Sequence, residues 1–263
     1  MDVKQNISQM KIVIITQADP FYLGKSIEYL AKNLPKEAAI TGCVVNSVSP
    51  FGKKESLLRK ALKTYKIFGA KFFLRYGFRY IYSRFNKKND VESVLKKNKI
   101  PIINLSKSIN HEDSLLLIKD KLPDILISIG GNEIFKKPLI ELAKNGCLNL
   151  HTAPLPKYRG LMPSFWVLKN KEKSTGVSVF FVDEGIDSGP ILVQKKVDIF
   201  NQTQEELIRQ TKKIGMECII EALEKIMHNN IETLPNDDNN MSYYSFPTKE
   251  DVQEFKKVGA KFF

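Results

Sequence analysis

Apolar positions along this chain follow two rhythms that take turns. Lys11 to Thr16 (KIVIIT) and Ala38 to Asn46 (AAITGCVVN) are short β-branched runs, as in strands buried on both faces of a sheet. Between them Leu23, Ile27, Leu30 and Leu34 recur at helical spacing, with Asp19 as the predicted cap and Pro20 at the first helical position. Ile100 to Leu105 and Asp124 to Ile129 predict a third and a fourth strand. The helix between them starts around Asn110 and Asp113, runs through Leu122 and is ended by Pro123. Gly130-Gly131 leads into a predicted helix ending at Asn145-Gly146, and Cys147 to His151 is the fifth strand. Strands joined by helices through short connections predict an α/β fold, a Rossmann-like mainly parallel sheet with flanking helices.

The rhythm changes after residue 170. Residues 175–183 and 190–199 are two strands close together, a late β-hairpin rather than another crossover. Thr203 and Glu206 form a capping box for a long helix to about His228, with Leu207, Ile214, Cys218, Ala222 and Ile226 on one face. Residues 229–240 are a polar linker, and Thr248 with Asp251 can cap a last helix over 249–257. The expected division is a catalytic domain over 1–200, carrying an insertion over about 51–99, and a helix with a short C-terminal appendage over 201–263.

Charge changes this picture at one place. The chain carries a net +12, and between Phe51 and Lys99 fifteen Lys and Arg stand against three acidic residues, so that segment holds the whole excess. Ten aromatic residues between Phe51 and Phe85 are interleaved with the cations. The simplest expectation is a helical pair with its aromatic side on the sheet and its basic side in water. Phosphate or RNA attraction and peripheral membrane contact are the alternatives. No apolar run is long enough to span a membrane. The N-terminus lacks a basic-then-apolar signal, which makes a cytoplasmic location the expectation. Cys43, Cys147 and Cys218 lie in apolar stretches and read as buried free thiols.

Candidate chemistry gathers where strands end. In open parallel sheets ligands bind at the carboxyl ends of strands. That rule selects Gly130-Gly131-Asn132 and the pair Asn149 and His151, which strand alternation puts on one face. A polar pair at that position is costly unless it is satisfied or used. The loop that follows, PLPKYRG, is proline-stiffened and basic, and the later stretch VDEGIDSGPIL is a tight turn in which two glycines flank Asp187. His111 and His228 look like surface residues near helix ends. Three scattered histidines and three scattered cysteines have no metal-ligand spacing. Dinucleotide, P-loop and nucleophile-elbow signatures are absent.

Asn149-x-His151, the PLPKYRG loop and then DEGIDSGPI, with Asp187 thirty-six positions after His151, resemble the folate-dependent formyltransferase family. The likeness is strong from Asp124 to Ile199 and holds in outline before it; Thr152-Ala153 departs from the Pro-Ser pair of many members and leaves the three polar residues untouched. The resemblance implies formyl transfer from 10-formyltetrahydrofolate to a primary amine, with Asn149, His151 and Asp187 as the catalytic trio and no metal. Such a reaction builds negative charge on the formyl oxygen, which the Asn149 amide and a protonated His151 can meet with hydrogen bonds. Asp187 can orient His151 and help remove the amine proton. Gly130, Gly131, Asn132, Ile134 and Gly185 are expected to line the folate pocket. Lys157, Tyr158, Arg159 and Gly160 are expected to hold the acceptor, with Lys157 and Arg159 on its phosphates.

Several acceptors fit that chemistry. The Gly-rich loop of glycinamide ribonucleotide enzymes is missing after the first strand. Only 64 residues follow Ile199, which leaves no room for the barrel of methionyl-tRNA enzymes. A nucleotide-diphosphate amino sugar, of the kind used in lipopolysaccharide O-antigen and other surface-polysaccharide synthesis, is therefore the expected acceptor. A methionyl-tRNA formyltransferase-like enzyme and an inactive formyltransferase-like binding protein are the other readings. Expected partners are the sugar nucleotide, a membrane surface or RNA for 51–99, and a second copy of the chain as a homodimer.

Overall fold

The computed structural model describes residues 9–48, 56–87 and 90–263. In chain order the elements are β1 (Met10–Gln17), α1 (Leu23–Asn33), β2 (Ala38–Asn46), α2 (Leu57–Phe68), α3 (Ala70–Phe85) and α4 (Val91–Lys97). Then come β3 (Ile102–Ile103), α5 (Glu112–Lys119), β4 (Ile125–Ile129), α6 (Lys137–Ile140), β5 (Cys147–His151) and β6 (Arg159–Gly160). The rest comprises α7 (Pro163–Lys169), β7 (Ser174–Phe181), β8 (Ile191–Asp198), α8 (Gln204–Met227), β9 (Tyr243–Tyr244) and α9 (Lys249–Lys257).

Seven strands form one sheet in the order β3-β2-β1-β4-β5-β7-β8, parallel as far as β5 and antiparallel beyond it. This is the expected Rossmann-like sheet with its late hairpin. Alternation along β1 divides the core in two. Ile12 and Ile14 face the layer containing α1, α4 and α8, whereas Val13 and Ile15 face the layer containing α5 and α6. All four are fully buried, and each such side chain contributes roughly 1.5–3 kcal/mol. Order reverses between β1 and β4, so the carboxyl ends of β1, β4 and β5 open a crevice. The three cysteines are free and buried, and burial raises the Cys218 thiol to about 12.

Local chemistry sets several ends. Both expected capping boxes form, Thr203 with Glu206 on α8 and Thr248 with Asp251 on α9. Asp19 accepts from the backbone N–H groups of Phe21, Tyr22 and Leu23, so its carboxylate fills the start of α1, which begins at Leu23 rather than Pro20. His111 caps α5 by accepting from Asp113 N–H. Asn110, expected to open that helix, instead reaches across to bond Lys136 N–H and Ile134 C=O. That tie holds residues 130–136 out of helical form, so the expected helix up to Asn145 shrinks to the four residues of α6.

Other expectations change because distant partners intervene. The third strand is only Ile102–Ile103, pairing briefly at the sheet edge. Residues from 201 onward are no separate appendage, since α8 places Met216, Cys218, Ile219 and Ala222 in the same core as β1 and β4. The supposed polar linker turns back along the molecule: Leu234 pairs with Ile191 through both backbone bonds, and β9 pairs with β6. Helices α2 and α3 do form, yet their aromatic side does not lie on the sheet. Phe68 and Phe72 pack on Phe262, and α3 has no buried residue. The beginning of that insertion (49–55), residues 88–89 and the N-terminal stretch read for a signal (1–8) lie outside the described residues.

Gly215 lets α8 lie directly on β5. A Cβ there would come within 2.7 Å of Leu150 Cδ2 and 2.9 Å of its Cδ1. Gly215→Val should therefore destabilise the protein by about 1–3 kcal/mol through overpacking. Urea unfolding checks this: a lower midpoint with an unchanged slope is expected, and an unchanged midpoint would mean that the helix can ride higher at no cost.

Candidate active site

The crevice at the strand ends is a cleft of about 420 Å³, within the range of small-ligand sites. Asn149 and His151 reach it from one face of β5, which β4 and β7 flank. The tight turn after β7 brings Asp187 to the same place, in the left-handed region at φ 51°. These three residues, expected as a trio, line one cleft.

Hydrogen bonds define their roles. His151 Nε2 lies 2.7 Å from the carbonyl oxygen of Tyr158, so this nitrogen carries a proton and donates it. The other ring nitrogen, Nδ1, faces Asp187 Oδ2 at 3.6 Å. Asp187 Oδ2 also accepts from Gly160 N–H at 2.9 Å. Gly160 has φ 93°, and a Cβ on it would stand 2.3 Å from Tyr244 C=O, so only glycine gives Asp187 this backbone donor. Asn236 Nδ2 donates to the carbonyls of Asp187 and Gly189, fixing the turn from the far side. The Asn149 amide has no hydrogen-bond partner among the described residues and is left to the cleft.

Gly130, Gly131, Asn132, Ile134 and Gly185, expected for the cofactor, all line the cleft. Gly131 lies so close to Ser128 that a Cβ would be 2.7 Å from its Oγ, which leaves bare backbone on that wall. Ile134 is half exposed there. A flat wall of backbone with an apolar edge and an unpartnered amide suits a pterin ring. The Asn132 side chain is tied to Ser47 C=O and Asn46 at the end of β2.

The loop expected to hold the acceptor divides. Gly160 lines the cleft, whereas Lys157, Tyr158 and Arg159 do not. Arg159 is buried, and its guanidinium donates to Asp238 Oδ1 at 2.7 Å and to both Asn236 oxygens at 2.9 and 3.0 Å. It holds the returning strap of residues 236–246 rather than a phosphate. Tyr158 is locked similarly: its ring stacks on Tyr244, its hydroxyl donates to Glu172 and its N–H donates to Ser242 Oγ. Burial and the Glu172 carboxylate push the Tyr158 hydroxyl up in pKa, so it remains a donor. Lys157 is exposed outside the cleft.

Lys212 was missed. It projects from α8 into the cleft and is the one Lys or Arg among the described lining residues. No ion pair or hydrogen bond holds it among the described residues. Burial lowers its pKa, an effect that the nearby Asp19 carboxylate opposes. A sequence signal existed: Lys212 lies four residues after Ile208 and three before Gly215, on the inward side of an apolar helix.

Residues 80–223 match the sequence profile of the formyl transferase family. The methionyl-tRNA formyltransferase of Kosmotoga olearia is 36% identical over 163 residues, 62% of this chain and 52% of the relative. That of Thermotoga maritima is 34% identical over 173 residues, 64% of this chain and 54% of the relative. The chain thus spans about half the length of the curated relatives it matches. Among solved structures, an N-formyltransferase from Helicobacter canadensis in complex with folinic acid and dTDP-3-aminofucose superposes with a TM-score of 0.55 at 20% identity, covering 95% of this chain and 80% of that one. A phosphoribosylglycinamide formyltransferase from Anaplasma phagocytophilum gives 0.61 at 15% identity, covering 91% and 100%. At these identities the two structures establish a shared fold.

Arg159→Lys should loosen the strap, because a point charge cannot reproduce the forked contacts. A loss of about 1.5–3 kcal/mol is expected from hydrogen bonds to a buried charge. Thermal melting, with limited proteolysis of 236–246, reads it out. An unchanged melt together with weaker acceptor binding would return Arg159 to the phosphate role.

Proposed function

The chain belongs to the formyl transferase family, and from that premise we propose that it moves the formyl group of 10-formyltetrahydrofolate onto the primary amine of a nucleotide-linked amino sugar. The convergence of Asn149, His151 and Asp187 in one cleft carries this reading. When bound, the folate donor supplies an activated formyl group open to attack by an amine. Asn149 donates its free amide N–H to the charge that grows on the formyl oxygen. His151 has Nε2 committed to Tyr158 C=O, so its donor toward the same charge is Nδ1–H of the protonated ring. Asp187 accepts the proton that the amine loses as it becomes an amide, directly or through one water. Asp187 can then return that proton to the nitrogen from which the formyl group departs, which closes the balance.

The acceptor argument rests on Lys212. With Asp19 filling the start of α1, no open helix N-terminus follows β1 for a phosphate. Lys212 supplies an unpaired amine on the cleft wall instead; burial disfavours its charge, and a sugar nucleotide's diphosphate beside it would restore that charge. A second reading, transfer to methionyl-tRNA, is favoured by the names of the curated relatives at 34–36% identity.

His151→Ala or Asn149→Ala should lower turnover about a hundredfold or more while folate affinity is kept. Wild-type turnover in His151→Ala would rule out the mechanism. Supplying 10-formyltetrahydrofolate with either initiator Met-tRNA or a panel of 3-amino and 4-amino sugar nucleotides separates the acceptors, with product followed by mass. Formylated sugar is expected, and Lys212→Met should raise its Michaelis constant about tenfold with little change in turnover. Formylated tRNA with every sugar refused would establish the second reading.

A further inference from the structure

The helical pair α2–α3 keeps an apolar face that the fold does not use. On α3, Leu74, Phe78, Ile81, Tyr82 and Phe85 are 57–86% exposed, and their spacing of i, i+4, i+7, i+8 and i+11 places them on one side of the helix. On α2, Leu58, Leu62 and Tyr65 repeat the pattern at i, i+4 and i+7, also exposed. The other side of α3 anchors the pair. Phe72 stacks on Phe68 and Tyr76, Arg75 lies over the Phe263 ring, and Arg79 pairs with Glu205 at 3.0 Å. The apolar face is what remains once these contacts are made, and no described residue covers it.

From Ser56 to Lys87 the chain has nine Lys and Arg and no acidic residue. Lys71, three residues before Leu74, and Arg84, three after Ile81, are both exposed on α3. We propose that this face docks on an anionic lipid surface, with the two helices lying in the interface and the cations among the headgroups. Charge selects this occupant over a second copy of the chain, since a two-fold contact would set the exposed cations of one helix pair, Lys71 and Arg84 among them, against the same cations of the other. Side-chain chemistry weighs for it over RNA: Tyr65, Phe78, Tyr82 and Phe85 can stack on bases, but the Leu58, Leu62, Leu74 and Ile81 interleaved with them cannot, and all eight gain by leaving water for acyl chains. No described helix is long and apolar enough to cross a membrane, so contact is confined to the surface. The anchored side of the pair meets the cleft, since buried Phe68 packs edge-on against Phe246, a lining residue. This inference does not depend on the formyl acceptor.

Co-sedimentation of the full chain with vesicles tests it, using phosphatidylcholine alone and phosphatidylcholine with about one third phosphatidylglycerol. Partitioning onto the anionic vesicles should be about tenfold or more stronger and should fall with added salt. The double variant Phe78→Ser, Phe85→Ser should melt like the wild type, since both rings are exposed, yet lose about tenfold or more in binding. Three results would overturn the proposal. One is no binding to anionic vesicles at low salt, whether or not RNA is shifted in a gel. Another is binding that the double variant retains in full. The third is a dimer in light scattering that the double variant breaks while vesicles are ignored.

Discussion

The hydrogen bond from His151 Nε2 to the carbonyl of Tyr158 is the constraint on which the site depends. It fixes which ring nitrogen carries the proton in the neutral imidazole and turns Nδ1 toward Asp187. Tyr158 can serve as that anchor because its own peptide and ring are held by Ser242, Tyr244 and Glu172. Asp187 takes its position from Gly160 and Asn236. His151 is therefore set, through Tyr158, by a strap whose Ser242 lies 84 residues beyond Tyr158, and the same strap reaches Asp187 through Asn236, 49 residues on. Arg159 clamps that strap from a buried position, so the basic loop after β5 works as a scaffold.

The sheet supplies the second half of the geometry. β5 is the last parallel strand and β7 runs antiparallel to it, so β7 ends beside the start of β5, where Val182 N–H donates to Cys147 C=O. The turn of residues 182–190 itself carries Asp187 back to His151. Close contact of Gly215 with Leu150 brings α8 down onto β5, and Lys212, one turn earlier, thereby reaches the cleft. Packing in the core and charge in the site are coupled through that one glycine.

Much of this is legible in the chain. β1, β2 and β5 are runs whose burial follows from composition alone, and the two capping boxes mark α8 and α9 because their partners are three residues apart. Asn149 and His151 can be placed on one face by strand alternation. What escapes depends on partners far away in sequence. Arg159 looks like a phosphate ligand until Asp238 and Asn236 are seen beside it. Residues 130–136 look helical until Asn110 ties them down. The aromatic residues of α2 and α3 look like sheet-facing core, yet Phe262 at the far end of the chain takes only some of them.

Isotope-edited NMR of the histidine side chains tests the central constraint most directly. In protein labelled with ¹⁵N-histidine, at a pH where His151 is neutral, its Nε2 should have the shift and coupling of a protonated nitrogen and Nδ1 those of a bare one. The assignment comes from the signals lost in His151→Ala. A neutral ring protonated at Nδ1 instead would contradict the account, since Nε2 could not then donate to Tyr158 and the orientation on which Asn149, His151 and Asp187 act together would be lost.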